Sequence, residues 1–163
     1  MRPLEYLKKL ESYGYSSYIV GGYVRDRILG IESSDIDIAT SAKPRDVANI
    51  FGIKEASKLG CISIRKNGLT IDIATFRREA NYDGRHPREL IYIDDIDEDL
   101  LRRDFTVNAI CMDSDENIYD PLGGIRDLEA KNLRVIGDIS TKFTEDPLRI
   151  LRAIRFAVIY DFN

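Results

Sequence analysis

The stretch Ser34-Asp35-Ile36-Asp37-Ile38-Ala39-Thr40 decides the fold, because acid and isoleucine alternate along it. Successive side chains of a strand point to opposite faces. A strand here therefore sends Ile36 and Ile38 into a core and sets Asp35 and Asp37 side by side on the other face. Two carboxylates so placed make a seat for a divalent cation. Mg²⁺ takes carboxylate oxygen and completes its shell with water and substrate phosphates, so the pair points to a phosphate-bearing substrate. The plainer alternative is a pair of ordinary strand-edge acids, against which stands the cost of gathering negative charge without a counter-charge.

Just upstream, Tyr18-Ile19-Val20 reads as a short apolar strand that runs into Gly21-Gly22, and residues Tyr23 to Leu29 suit a helix closed by Gly30. Strand, glycine turn and helix start turn backbone N–H groups toward an anion. Gly21 and Gly22 permit close backbone approach to such an anion, and Arg25 adds a fixed cation beside it. Further back, Leu4, Leu7 and Leu10 recur at helical spacing, which predicts a helix over residues 3–13 ending near Gly14.

Downstream, Ser41 and Pro44 open a helix through Phe51. Strands are expected over Cys61 to Arg65 and Leu69 to Phe76, joined at the hairpin signal Asn67-Gly68. The pentapeptide Ile-Asp-Ile-Ala-Thr occurs at 36–40 and again at 71–75, so a neighbouring strand is expected to bring Asp72 to the face of Asp35 and Asp37 as a third carboxylate. Residues 77–90 are polar, contain Gly84 and Pro87 and lack periodicity, which reads as a long mobile loop. A helix near Ile96 to Arg103, short strands near Ile110 to Met112 and Asn117 to Tyr119, and a break at Pro121-Leu122-Gly123-Gly124 follow. The last helix starts at Asp146-Pro147, with Asp146 suited to cap it, and runs to about Tyr160. At about 100° per residue, Ile150, Leu151, Ile154, Ala157 and Val158 fall on one side of it, and Arg149, Arg152 and Arg155 on the other.

With 163 residues, 44% of them apolar and 32% charged, the chain has the size and composition of one globular domain. Neither a signal-peptide pattern nor an apolar run near the roughly 18 residues of a membrane span occurs, so a cytosolic address is expected. Cys61 and Cys111 are too few for a disulfide framework or a zinc site and are read as buried thiols; the single His86 reads as an exposed loop residue. A net charge of −4 argues against a protein that grips nucleic acid with its whole surface, although arginines cluster at 77, 78, 85 and 88, at 102 and 103, and at 149, 152 and 155.

Five runs in order resemble the tRNA nucleotidyltransferases of the bacterial CCA-adding type, whose superfamily includes bacterial poly(A) polymerases. They are Gly21-Gly22-Tyr23-Val24-Arg25-Asp26, Asp35-Ile36-Asp37, Arg102-Arg103-Asp104-Phe105-Thr106-Val107-Asn108-Ala109, Asp120-Pro121-Leu122-Gly123-Gly124 and the run from Glu145 to Phe156. Any one alone is weak; their order over nearly the whole chain is not. The resemblance implies an α/β fold, a polymerase-beta-like nucleotidyltransferase head with a small mixed sheet and flanking helices over residues 1–138, followed by the start of a helical neck over 139–163.

The same resemblance implies transfer of CMP and AMP from CTP and ATP to the 3′ end of tRNA, with pyrophosphate released and two Mg²⁺ ions held by Asp35, Asp37 and Asp72. It implies that Arg103 contacts the nucleotide, that Asp104 and Asn108 meet the ribose or brace the site, and that Arg102 and Phe105 are structural. Asp146 and Arg149 match the positions that read the incoming base. An aspartate accepts from the exocyclic amine of cytosine or adenine and an arginine donates to the ring acceptors, while guanine and uracil put a carbonyl where the amine would be. Arg152 and Arg155 then serve phosphate or hold the network. The run Asp83-Gly84-Arg85-His86-Pro87 departs from the two arginines that many relatives carry before that proline. The body and tail that hold tRNA in the family do not follow, so a catalytic fragment with weak tRNA binding is expected. Poly(A) addition, CC-only or A-only addition, and a non-catalytic RNA-binding module remain alternatives.

Overall fold

The structure, a computed structural model, describes residues 2–53, 60–66, 68–83 and 86–163. Its elements run α1 (Pro3–Glu11), β1 (Ser17–Val20), α2 (Gly22–Ile28), β2 (Asp35–Thr40), α3 (Pro44–Phe51), β3 (Cys61–Lys66) and β4 (Leu69–Thr75). Then come β5 (Arg77–Asp83), β6 (His86–Tyr92), α4 (Ile96–Leu101), a 3₁₀ turn (Thr106–Asn108), β7 (Cys111–Met112) and β8 (Ile118–Tyr119), followed by α5 (Gly124–Glu129), α6 (Ile139–Glu145) and α7 (Leu148–Tyr160).

Six strands form one mixed sheet in the order β3-β4-β2-β1-β7-β8. The twin pentapeptides lie beside each other: β2 and β4 are parallel, with Ile36 opposite Ile71, Asp37 opposite Asp72 and Ile38 opposite Ile73. A slip of one residue would turn every isoleucine to the acid face, so burial of one face locks the register. Ile19, Ile36, Ile38, Ile62, Ile71 and Ile73 are all sealed from solvent, packed with Tyr6, Leu7 and Leu10 of α1 and Val47 and Ile50 of α3. Each isoleucine so buried stabilises the fold by about 1.5–3 kcal/mol. The opposite face is covered only in part, where Val20 and Ala39 pack with Phe76, Leu100, Ala109 and Cys111. Beyond that patch, Asp35 and Asp37 stay exposed.

The expected elements are present, with boundaries moved by a few residues, and β3 and β4 form the expected hairpin; Asn67 of its turn lies outside the described residues. The long mobile loop is a correction. Residues 77–83 and 86–92 pair as an antiparallel ribbon, Arg77 opposite Tyr92 and Asp83 opposite His86, apart from the main sheet. Gly84, Arg85 and the side chain of His86 lie outside the described residues. Ribbon strands half-exposed on both faces carry no apolar period, so polarity alone misreads them as a loop.

Helices α5 and α6 are additions that periodicity does not signal, being six and seven residues long. Asp120 starts α5 by accepting the N–H groups of Gly124 and Ile125 at 2.7 and 2.9 Å. Helix α7 is amphipathic in the reverse sense from a core helix. Arg149 is its buried residue, while Leu151, Ile154 and Val158 are more than half exposed. Phe162 returns to the core, and Tyr160 anchors the helix end to α2.

Candidate nucleotide and metal site

A cleft of about 560 Å³ opens where the uncovered end of β2, the turn into α2, the segment after α4 and the inner face of α7 converge. Gly21, Gly22, Arg25, Asp35, Asp37, Arg103, Asp104, Asn108, Asp146, Arg149, Arg152 and Arg155 line it, together with Glu79, Arg102 and Phe156, which had no ligand-facing role in the sequence reading. Asp72 is the one candidate absent from this lining.

The floor is built by β2 and the glycine turn. Gly21 has φ +77°, and a Cβ there would meet Asp37 Oδ2 at 3.5 Å and Arg103 Nη1 at 3.8 Å. Only glycine takes that backbone without strain while leaving the carboxylate uncovered. Although Asp37 opens on the cleft, protein crowds its other sides. Partial loss of water raises its pKa above the ordinary aspartate value, and Asp72 and Asp35 add to the rise, while Arg103 and Arg152 oppose it.

Asp72 lies across the parallel ladder from Asp37, but its Oδ1 accepts the hydroxyl of Ser63 on β3. Among the described residues no set of three Asp, Glu, His or Cys side chains gathers to hold a metal ion. Asp72 accepts from its neighbour on β3 and is absent from the cleft lining. The acids that line the cleft on this face are Asp35 and Asp37, and one or two carboxylates plus ligand oxygens are what Mg²⁺ commonly takes.

The walls are a connected network. Arg25, expected as a cation beside a triphosphate, is 4% exposed and already engaged: Nε donates to Asp26 Oδ1 at 2.9 Å, Nη1 to Asn108 Oδ1 and Nη2 to the Tyr160 hydroxyl, each at 2.5 Å. Its guanidinium lies 4.3 Å from the Tyr160 ring centroid. Asn108 Nδ2 donates to Asp104 Oδ1 at 3.3 Å, and Arg152 Nε reaches Asp104 Oδ2 at 2.7 Å. Asp104 and Asn108 thus brace α2 and α7 across the cleft.

Arg149, buried on α7, donates through Nη1 to the Lys142 carbonyl at 2.7 Å and to Glu145 Oε2 at 3.0 Å. Asp146 closes α6, and its Oδ1 accepts the Leu148 N–H at 3.0 Å; the cap of α7 itself is Pro147, one residue later than expected. Arg155 is exposed on the same face. Cys61 is half-buried rather than buried, and Cys111 is buried. Burial pushes their thiols up to about 11 and about 12, so neither is a thiolate at neutral pH. No helix among the described residues is long and apolar enough to cross a membrane.

Comparison with known proteins fits this geometry. A CCA-adding enzyme of Bacillus pumilus is 44% identical over 92% of this chain, and the match takes in 38% of that enzyme. The solved CCA-adding enzyme of Bacillus stearothermophilus in complex with CTP superposes with a TM-score of 0.85 and 39% identity, covering 99% of this chain and 41% of that one. The Thermotoga maritima CCA-adding enzyme complexed with tRNA gives 0.77 and 34%, over 98% and 37%. The chain spans about two fifths of the length of these relatives. The family model for the poly A polymerase head domain matches residues 17–134. With that match over most of its length, and with paired acids and arginines facing one cleft, the chain belongs to the poly A polymerase head-domain family.

Proposed function

We infer that this chain is the catalytic head of a template-independent nucleotidyltransferase that adds CMP and AMP, from CTP and ATP, to the 3′ end of tRNA. One observation carries the reading: Asp35 and Asp37 share a single cleft with Arg103 and with Arg149, Arg152 and Arg155 of α7. Acids alone gather cations and arginines alone gather phosphate. The two together suit a metal-bound triphosphate.

A divalent cation, Mg²⁺ in this reading, would be held by Asp35 and Asp37, with Asp72 joining if it leaves Ser63; when bound, it supplies charge neutralisation at the α-phosphate and lowers the pKa of the attacking 3′-hydroxyl. The residues of the chain do the rest. The Gly21-Gly22 turn admits the triphosphate against the backbone. Arg103 and Arg152 neutralise phosphate oxygens, and Asp104 and Asn108 brace the walls of the pocket. Asp146 accepts the exocyclic amine of C or A while Arg149, held by Glu145 and the Lys142 carbonyl, donates to the ring. Residues 139–163 are read as the start of the neck, and a cytoplasmic setting belongs to the same reading.

The test is incorporation of label from CTP and ATP into tRNA that lacks its terminal residues, followed by sequencing of the ends. C and A are expected to enter, G and U not, and Asp35→Ala and Asp37→Ala variants that remain folded are expected to incorporate nothing. A long A run would instead favour poly(A) polymerase, and label that persists in both variants would defeat the reading.

A further inference from the structure

Arg103 is held in an unusual way. Its Nη1 and Asp37 Oδ2 both lie by the Gly21 turn, close enough for Arg103 to act on the Asp37 carboxyl by charge, and its buried Nε has no hydrogen-bond partner among the described residues. Its Nη2 donates to Asp99 Oδ2 at 3.1 Å. Asp99 is wholly sealed from solvent. Its other oxygen accepts the Arg102 Nε at 2.9 Å and the backbone N–H of Arg77, the first residue of the β5–β6 ribbon, at 3.0 Å. Arg102 also reaches Glu79 of the ribbon, which accepts from Arg77 Nε at 2.7 Å. Burial alone would push the Asp99 carboxyl toward neutrality; Arg103, Arg102 and the Arg77 N–H together hold its pKa below the ordinary value.

We propose that Asp99 is the positioning residue of the nucleotide site: it fixes the Arg103 guanidinium beside Asp37 and fastens that arginine to the base of the β5–β6 ribbon. A surface carboxylate one helical turn from an arginine contributes little. A sealed, ionised one cannot release its partner without leaving a charge unpaired. The geometry at Arg103 agrees with this division of labour. Nη2 is spent on Asp99, while Nη1 lies by the Gly21 turn in the lining of the cleft. The base of the ribbon and Arg103 are thereby tied to one carboxylate.

This inference rests on the nucleotide-binding reading above, and two measurements separate them. In the first, the Arg103 Nε–H resonance is identified by its loss in Arg103→Lys and followed in Asp99→Asn without any ligand. It is expected to shift or exchange away, and an unchanged signal would overturn the proposal. In the second, affinities for CTP and ATP with Mg²⁺ are measured for Asp99→Asn, Arg103→Ala and the double variant. Asp99→Asn is expected to weaken binding about tenfold, and that loss is expected to vanish in the Arg103→Ala background. Losses that simply add would make Asp99 a structural residue and overturn the proposal. If the parent binds neither triphosphate, the nucleotide reading fails while the resonance still decides the role of Asp99. Should Asp99→Asn not fold, Asp99→Glu, which displaces the charge by one methylene, takes its place with a smaller loss expected in both measurements.

Discussion

Asp37 is under two opposed demands: its place on β2 calls for an anion at the cleft floor, and its surroundings disfavour one. Crowding by protein, Asp72 and Asp35 raise its pKa against the pull of Arg103 and Arg152. A carboxyl whose pKa is higher folded than unfolded supports the fold below the ordinary aspartate range, and that support drains away as pH rises through the raised value. Asp37→Asn is therefore expected to unfold at a higher temperature than the parent at neutral pH, with the difference shrinking as the pH is lowered toward the ordinary carboxylate range. Thermal unfolding across pH checks this, and a variant less stable at neutral pH would contradict it. Such a residue is legible from sequence, since alternation with Ile36 and Ile38 fixes its face. The saturation of Arg25 is not, because its partners Asn108 and Tyr160 are 83 and 135 residues away. The turning of Asp72 toward Ser63 is likewise hidden: the β3–β4 hairpin is legible, but that its register sets Ser63 opposite Asp72 and gives that carboxylate a hydroxyl is not.

Among the elements, α5 and α7 carry the information that periodicity missed. A Cβ on Gly124 would sit 2.3 Å from the Thr106 carbonyl oxygen and 2.7 Å from Ile110. Helix α5 therefore lies directly on the 3₁₀ turn that presents Asn108. Gly124→Ala forces these backbones apart and is expected to cost at least about 1–3 kcal/mol in urea unfolding; a loss below about 0.5 kcal/mol would show that α5 does not press on the turn. In α7, the Tyr160 hydroxyl donates to Asp26 Oδ1 at 2.9 Å and accepts from Arg25. Tyr160→Phe keeps the ring contacts with Phe156 and Phe162 and removes only these bonds. A loss of about 1–2 kcal/mol is expected in the same assay, and an unchanged midpoint would mean that the rings alone hold the helix. The arginine face of α7 was visible in the sequence, but that this face turns inward was not. An ordinary amphipathic reading would bury Leu151, Ile154 and Val158, whereas the inward side carries Ala153, Phe156 and Tyr160 packed on the core beside the pairings of Arg152 with Asp104 and Arg149 with Glu145.

At the scale of the molecule, a chain of net charge −4 concentrates six arginines along one cleft. Short-range placement rather than overall charge makes it an anion site, with the paired acids at its floor. The shared pentapeptide makes the neighbourhood of β2 and β4 legible, but not the rest of the sheet order; the ribbon, for its part, has no apolar face to announce it. The most direct test of the central claim is calorimetric titration of CTP and ATP into the parent chain and into folded Asp37→Ala, each with Mg²⁺ and with a chelator. Binding is expected to depend on Mg²⁺ in the parent and to weaken at least about tenfold in Asp37→Ala. Equal affinity in the two proteins, or binding in the parent indifferent to the cation, would contradict the account.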